Sequence, residues 1–209
     1  FSRPGRPEVF PDLNNFDLGE ASSGQVTGMY ATTNALVITK NRGIYLIKGD
    51  AASGFYSQTL SRTEGSVSAN GIIQIPGIGL GMMSAEGEIL LLRGALENVG
   101  SATQIVRLST PIPDEVEKLN RSALQRVVAV LNRRDKEVWW CVPTLGSDRN
   151  NRILCYHYEV DAWTTKSDLP VAAAVSTADH REYLIWGSWD DVNAPGVHAL
   201  GHGFGAKKL

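Results

Sequence analysis

Apolar residues in this chain fall in short runs, paired across tight polar turns, and the pair recurs about every 45 residues. The turns are Asn41-Arg42-Gly43, Ala85-Glu86-Gly87, Arg133-Arg134-Asp135-Lys136 and Asp179-His180-Arg181. Before them stand the runs 35–38, 78–83, 127–131 and 171–175; after them stand 44–47, 88–92, 138–142 and 183–186. Runs of this length bounded by turn residues predict strands, and each pair predicts a hairpin. The run 89–92 lacks polar alternation, as a strand buried on both faces does. A repeat near this length built from short strands points to β-propeller blades, small sheets that bury their faces against their neighbours. The expected fold is all-β: a propeller, or a propeller portion, of about four antiparallel blades. A two-sheet sandwich would also produce such hairpins and stays open.

Between the hairpins the pattern is less regular. Residues 1–24 are rich in Pro, Asn, Ser and Gly and predict an extended leading segment anchored by Phe1, Phe10 and Phe16. The blades are expected over 25–195. The first comprises strands at 26–30, 35–40 and 44–48, with Gly43 expected to supply a positive φ at the turn. A polar loop over 49–70, carrying Phe55 and Tyr56, leads to a strand at 72–75. Residues 111–126 break the pattern. Pro111-Ile112-Pro113-Asp114 precedes Val116, Leu119 and Leu124 at helical spacing, with Asp114, Glu115 and Glu117 in the first turn, where the helix dipole favours acids. One short inserted helix near 113–125 is the expectation. The third hairpin continues across a polar loop, 145–151, into a strand at 152–158, and Trp163 follows the turn Glu159-Val160-Asp161. Residues 196–209 read as a glycine-rich tail or the start of a further blade.

Composition adds limits. At 209 residues and 43% apolar content, one sizeable domain with a continuous core is expected. The formal net charge is -2 with both signs mixed, and no basic stripe argues for tight phosphate binding. No apolar run is long enough for a transmembrane helix. The chain begins Phe1-Ser2-Arg3-Pro4-Gly5, with neither Met nor an apolar signal, which reads as a piece of a longer protein. Cys141 and Cys155 fall on what read as neighbouring antiparallel strands; reduced, half-buried thiols are expected, with pairing left open.

Motifs for chemistry fail their context tests, and no catalytic, cofactor-binding or metal residue is assigned. The histidines are His157, His180, His198 and His202; the last two are four apart, but among glycines that exclude a helix. Gly77-Ile78-Gly79-Leu80-Gly81 lacks the Lys-Ser/Thr and helix of a phosphate cradle, so its glycines read as tight strand packing. Asp161 and Asp190-Asp191 are the acids for glycosidase chemistry, yet stand in turn-like contexts. Ser147-Asp148-Arg149-Asn150-Asn151 has an Arg where a calcium ligand is needed, and Asn120-Arg121-Ser122 matches a glycosylation sequon by accident. Trp139-Trp140 sends one indole to each face of its strand, with Trp186 and Trp189 similar in the next unit; burial between sheets is expected, and stacking on sugars is the competing reading.

Three stretches carry a family resemblance. The first is Phe1-Ser2-Arg3-Pro4-Gly5-Arg6-Pro7-Glu8, followed by Val26-Thr27-Gly28-Met29 and Asn34-Ala35-Leu36-Val37-Ile38-Thr39-Lys40-Asn41-Arg42-Gly43-Ile44-Tyr45. The second is Val106-Arg107-Leu108-Ser109 with Glu137-Val138-Trp139-Trp140-Cys141-Val142-Pro143. The third is Ile153-Leu154-Cys155-Tyr156-His157-Tyr158 followed by Trp163. Together they resemble the propeller region of tailed-bacteriophage tail nozzle (tail tubular B) and packaged-DNA-stabilisation proteins. The resemblance implies a non-enzymatic virion protein, a homo-oligomeric ring around the DNA exit channel, below the portal and beside the adaptor. It implies nonspecific passage of DNA, no cofactor and no membrane span. The loops 49–70 and 145–151 are then the candidates for intersubunit contact. A carbohydrate-binding propeller with exposed Trp139, Trp163 or Trp189 is the alternative, and a glycosidase a third.

Overall fold

The computed structural model describes residues 6, 8, 17–33, 35–50, 53–94, 103–167 and 170–176, and the backbone alone at 21, 184–187, 197–200 and 206–208. The turn at 179–181, with His180, lies outside them, as do Trp189, Asp190, Asp191, His202 and most of the leading segment. The side chains of Trp186 and His198 are outside them too.

The chain is mostly β, arranged as four-stranded antiparallel sheets in which consecutive strands are neighbours. Sheet 1 holds β1 (Val26–Ala31), β2 (Leu36–Lys40), β3 (Gly43–Asp50) and β4 (Gly54–Ser61). Sheet 2 holds β5 (Ile73–Ile75), β6 (Gly79–Met83), β7 (Ile89–Arg93) and β8 (Gln104–Arg107). Sheet 3 holds β9 (Val128–Asn132), β10 (Glu137–Val142), β11 (Arg152–His157) and β12 (Ala162–Ser167). Sheet 4 holds β13 (Ala173–Ser176), β14 (Leu184–Gly187), β15 (Val197–Leu200) and β16 (Ala206–Lys208). Among the described residues the sheets do not close into a ring.

Burial on both faces explains the uninterrupted apolar runs. In sheet 2, Leu80, Met82, Leu90 and Leu92 pack with Val37, Ile44 and Leu46 of sheet 1. The alternate residues Met83, Ile89 and Leu91 pack with Val138, Trp140 and Val142 of sheet 3. Sheet 3 turns its other face, with Val130, Trp139, Cys141 and Ile153, toward Val171 and Ala174 of the fourth unit. A strand's period of two thus serves two interfaces at once.

Trp140 joins the second and third sheets. It is fully buried, and its indole N–H donates to the Gly71 carbonyl at 3.3 Å. A Cβ on Gly81 would lie 2.8 Å from its Cζ2, so the missing side chain makes the slot the ring occupies. Burying a side chain of this size, at ~25 cal/mol per Å², is worth up to about 5 kcal/mol. Of the other glycines in this run, Gly79 avoids the Leu92 carbonyl, while Gly77 serves the turn, with a φ of 68°.

Three expectations need correction. The polar loop over 49–70 contains a full strand, β4, paired along β3 from Asp50↔Gly54 to Ile44↔Ser61. Its side chains are mostly exposed, so no apolar run announced it. The single inserted helix is two pieces: α1 (Pro113–Glu117), then a 3₁₀ segment Arg121–Arg126. Leu119 is drawn into a bridge with Thr144 and Asn120 donates its N–H to Pro143, which breaks the helix between them. Gly43 is not in the left-handed region; it is glycine because a Cβ would lie 2.6 Å from the Tyr45 hydroxyl.

Gly81→Ala is expected to cost about 1–3 kcal/mol by forcing Trp140 from its slot. Trp140→Ala is expected to cost about 3–5 kcal/mol. Urea unfolding measures both, and a neutral Gly81→Ala would contradict the tight seat.

Candidate functional site

The first strands of all four sheets contribute to one groove. Tyr30 of β1, Gln74 of β5, Val130 of β9 and Val175 of β13 lie along it, and the space they enclose is about 440 Å³. The reason is topological: each sheet begins at this groove and its later strands step away from it. The connections 62–72 and 108–127, the latter carrying α1 and the 3₁₀ segment, return the chain to the groove to start sheets 2 and 3. The lining is mixed. Ile73, Pro76 and Ala129 are apolar, while the Tyr30 hydroxyl donates to Gln74 Oε1 at 3.2 Å and exposed Arg133 stands at the rim. Among the described residues no Asp or Glu lines it. This surface can shape and contact what passes along it; paired-carboxylate chemistry has no described donors here.

The residues singled out from sequence go elsewhere. Trp139 is buried, and its N–H donates to Glu137 Oε2 at 2.6 Å. Lys166 donates to the same oxygen at 3.2 Å and sits 3.8 Å from the Trp139 ring centroid, a cation–π contact. Trp163 is partly buried against Trp140 and Tyr156, with ring centroids 6.0 and 5.0 Å away. Of the three tryptophans named for sugar stacking, Trp139 is therefore buried and Trp163 partly so, while Trp189 lies outside the described residues. Asp161 holds a turn at φ 53° and accepts the Tyr156 hydroxyl at 2.9 Å. Burial, helped by that bond, pushes the Tyr156 pKa up to about 12. His157 is half-buried on β11, its Nδ1 without a hydrogen-bond partner among the described residues. No cluster of three His, Cys, Asp or Glu side chains suited to a metal occurs among the described residues.

Cys141 and Cys155 lie on paired strands, with Cys141 opposite Ile153 and Cys155 opposite Trp139. They share a core face as free, buried thiols. Burial pushes Cys155 up to about 12 and raises Cys141 as well, which leaves both as poor nucleophiles.

The insert after sheet 2 fastens the loop over 145–151, one of the two loops expected to reach other subunits. Asn120, the sequon asparagine, accepts from the Ser122 hydroxyl at 2.7 Å and donates to the Ser147 carbonyl at 2.8 Å. Arg126 holds Asp148 at 3.1 Å, and Asn150 donates to the carbonyls of Arg126 and Val171. Glu115 pairs with Lys118 at 2.6 Å and with Arg152 of β11. The hydrogen bond from Lys118, then the one from Arg152, hold its carboxyl below the ordinary value, against burial that raises it. Sequence reasoning missed these anchors because partners such as Asn120 and Ser147 are 27 positions apart.

No protein-family model matches the chain, and no curated protein matches it. Among solved structures, a 2S albumin seed protein from Dolichos is similar at 8% identity and a TM-score of 0.39, over 88% of this chain and 94% of that one. The hemopexin fold protein CP4 from cow pea is similar at 7% identity and a TM-score of 0.38, over 88% of this chain and 93% of that one. Likeness at this level carries no argument about kinship or function. No helix among the described residues is long and apolar enough to cross a membrane.

Both thiols should resist a thiol-specific disulfide reagent in the folded protein and react fully in denaturant; rapid native reaction would contradict their burial. Glu115 has a folded pKa below its unfolded value of about 4.3. Its stabilisation is therefore complete above that value and lost as pH falls through the folded one. Glu115→Gln should cost about 1–2 kcal/mol at neutral pH and almost nothing near pH 2. Urea titrations at both pH values measure this.

Proposed function

We propose that the four sheets are successive blades of a β-propeller, or propeller portion, and that the protein is a non-enzymatic structural part of a phage tail. In this reading it forms part of the wall of the DNA exit channel as a tail nozzle or head–tail connector. The observation that carries the blade reading is the shared groove: the first strand of every sheet borders it, and the fourth strand of every sheet is farthest away. The sequence resemblance to the nozzle and packaged-DNA-stabilisation proteins carries the virion reading.

The mechanism is geometric. Double-faced burial makes sheets 2 and 3 stiff, so their surfaces keep a fixed separation. DNA passing a wall needs contacts that are weak and dispersed, and a chain of net charge -2 without a basic stripe supplies no strong phosphate site. Copies assemble as a homo-oligomeric ring beside the adaptor and portal-proximal tail proteins, in the virion. Closing four blades on themselves brings the fourth unit to the outer face of sheet 1. That contact covers Met29 and Val175, which are 66% and 56% exposed in the open arrangement.

Two measurements test the reading. Met29→Asp and Val175→Asp should each cost about 1.5–3 kcal/mol if the seam closes; values within about 0.5 kcal/mol, as for ordinary surface sites, would contradict closure. Light scattering with negative-stain imaging, with the adaptor ring present, should find a closed ring or tube with a DNA-wide lumen. A persistent monomer beside the adaptor would overturn the nozzle role.

A further inference from the structure

Among the described residues the outer strand of each sheet has a strand neighbour on one side only, and folded proteins usually blunt such edges with charge. Three of the outer strands follow that rule in sequence: β8 carries Arg107, β12 carries Lys166, and β16 carries Lys207 and Lys208. The outer strand of sheet 1 differs. β4 reads Gly-Phe-Tyr-Ser-Gln-Thr-Leu-Ser, without Lys, Arg, Asp, Glu or Pro. At eight residues it is also the longest of the four, and its first six residues are exposed. Phe55 and Tyr56 are 41% and 59% exposed. The pairing with β3 is regular from Phe55 to Thr59, and a bulge follows only at the far end. The edge is therefore flat over the segment that carries the aromatics.

We propose that β4 is a strand-addition edge whose occupant is β4 of a second copy of this chain, joined antiparallel across a two-fold axis at Ser57. Symmetry makes the pairing checkable. A two-fold normal to the sheet sets residues opposite one another whose numbers average 57. Phe55 then stands opposite the partner's Thr59, Tyr56 opposite the partner's Gln58, and Ser57 opposite itself. Cross-strand partners must share a face, and Phe55 and Thr59 do, as do Tyr56 and Gln58. Aromatic against β-branched is a favourable cross-strand pair, repeated by symmetry. The same operation on β16 would set lysines against lysines. The lack of charge on β4 therefore suits an identical strand in particular. The pairing would join two copies of sheet 1 into one continuous sheet.

Sedimentation velocity across a concentration series of the full chain tests this. The expected result is a concentration-dependent dimer, weakened at least about tenfold by Ser57→Lys, which sets two lysines opposite each other. Ser57→Asp should weaken it similarly, and mixing the two variants should restore a dimer containing one of each. Circular dichroism should be unchanged, because Ser57 is exposed; Thr59→Lys, opposite the partner's Phe55 and likewise exposed, reads the same edge at a second position. A wild-type chain that stays monomeric throughout would overturn the proposal. So would a dimer or ring indifferent to both lysine variants, since its contact then lies on another surface.

Discussion

The rest of the structure depends on how closely sheets 2 and 3 approach, and that distance is set by the seat of Trp140. The ring lies where Gly81 has no side chain, and its single polar atom finds the Gly71 carbonyl. An indole left without that bond would bury an unsatisfied donor, and a Cβ at Gly81 would hold the sheets apart. The same economy recurs at Gly28, where a Cβ would meet Ile72 Cδ1 at 2.7 Å, between sheet 1 and the start of sheet 2. Glycines at the sheet faces, opposite the Trp140 ring in one case and Ile72 in the other, turn separate hairpins into one stack.

That stack explains why the residue types most suggestive of chemistry are spent on structure. Both tryptophans of β10 fill inter-sheet space, one on each side, and both thiols lie with Trp139 on the side toward the fourth unit. Glu137, Lys166 and Trp139 satisfy one another there, and Asp161 and Tyr156 do the same at a turn. Among the described residues, the groove lined by first strands and the outer edges remain for contact with other molecules. Both are surfaces of shape and backbone.

The inner strands were legible in the sequence and the outer ones were not, for one physical reason. Strands such as β6, β7, β9 and β10 are buried on both faces, so they appear as unbroken apolar runs. β4, β12 and β16 have little or no apolar run: the first two are largely exposed, and the last is Ala-Lys-Lys. They are held by ladder hydrogen bonds to a neighbour, a signal that does not live in their own residues. The sequence places the helix insert correctly but shows it as one piece, because helical spacing at Val116, Leu119 and Leu124 hides the pairing of Leu119 with Thr144. The groove was invisible for the same cause as the anchors of the 145–151 loop: it is assembled from segments far apart in sequence. Gly43 shows the converse error, a glycine assigned to turn geometry that is needed for room beside Tyr45.

Native-state hydrogen exchange, followed residue by residue, tests the central claim most directly. If the Trp140 seat couples the second and third sheets, amides of β6, β7, β10 and β11 should exchange only by one shared opening, with a single free energy and a single denaturant dependence. Should β6 and β7 open in a separate, cheaper step while β10 and β11 stay protected, the two sheets would be independent units. The seat would then be a contact between them, and not the constraint on which the fold rests.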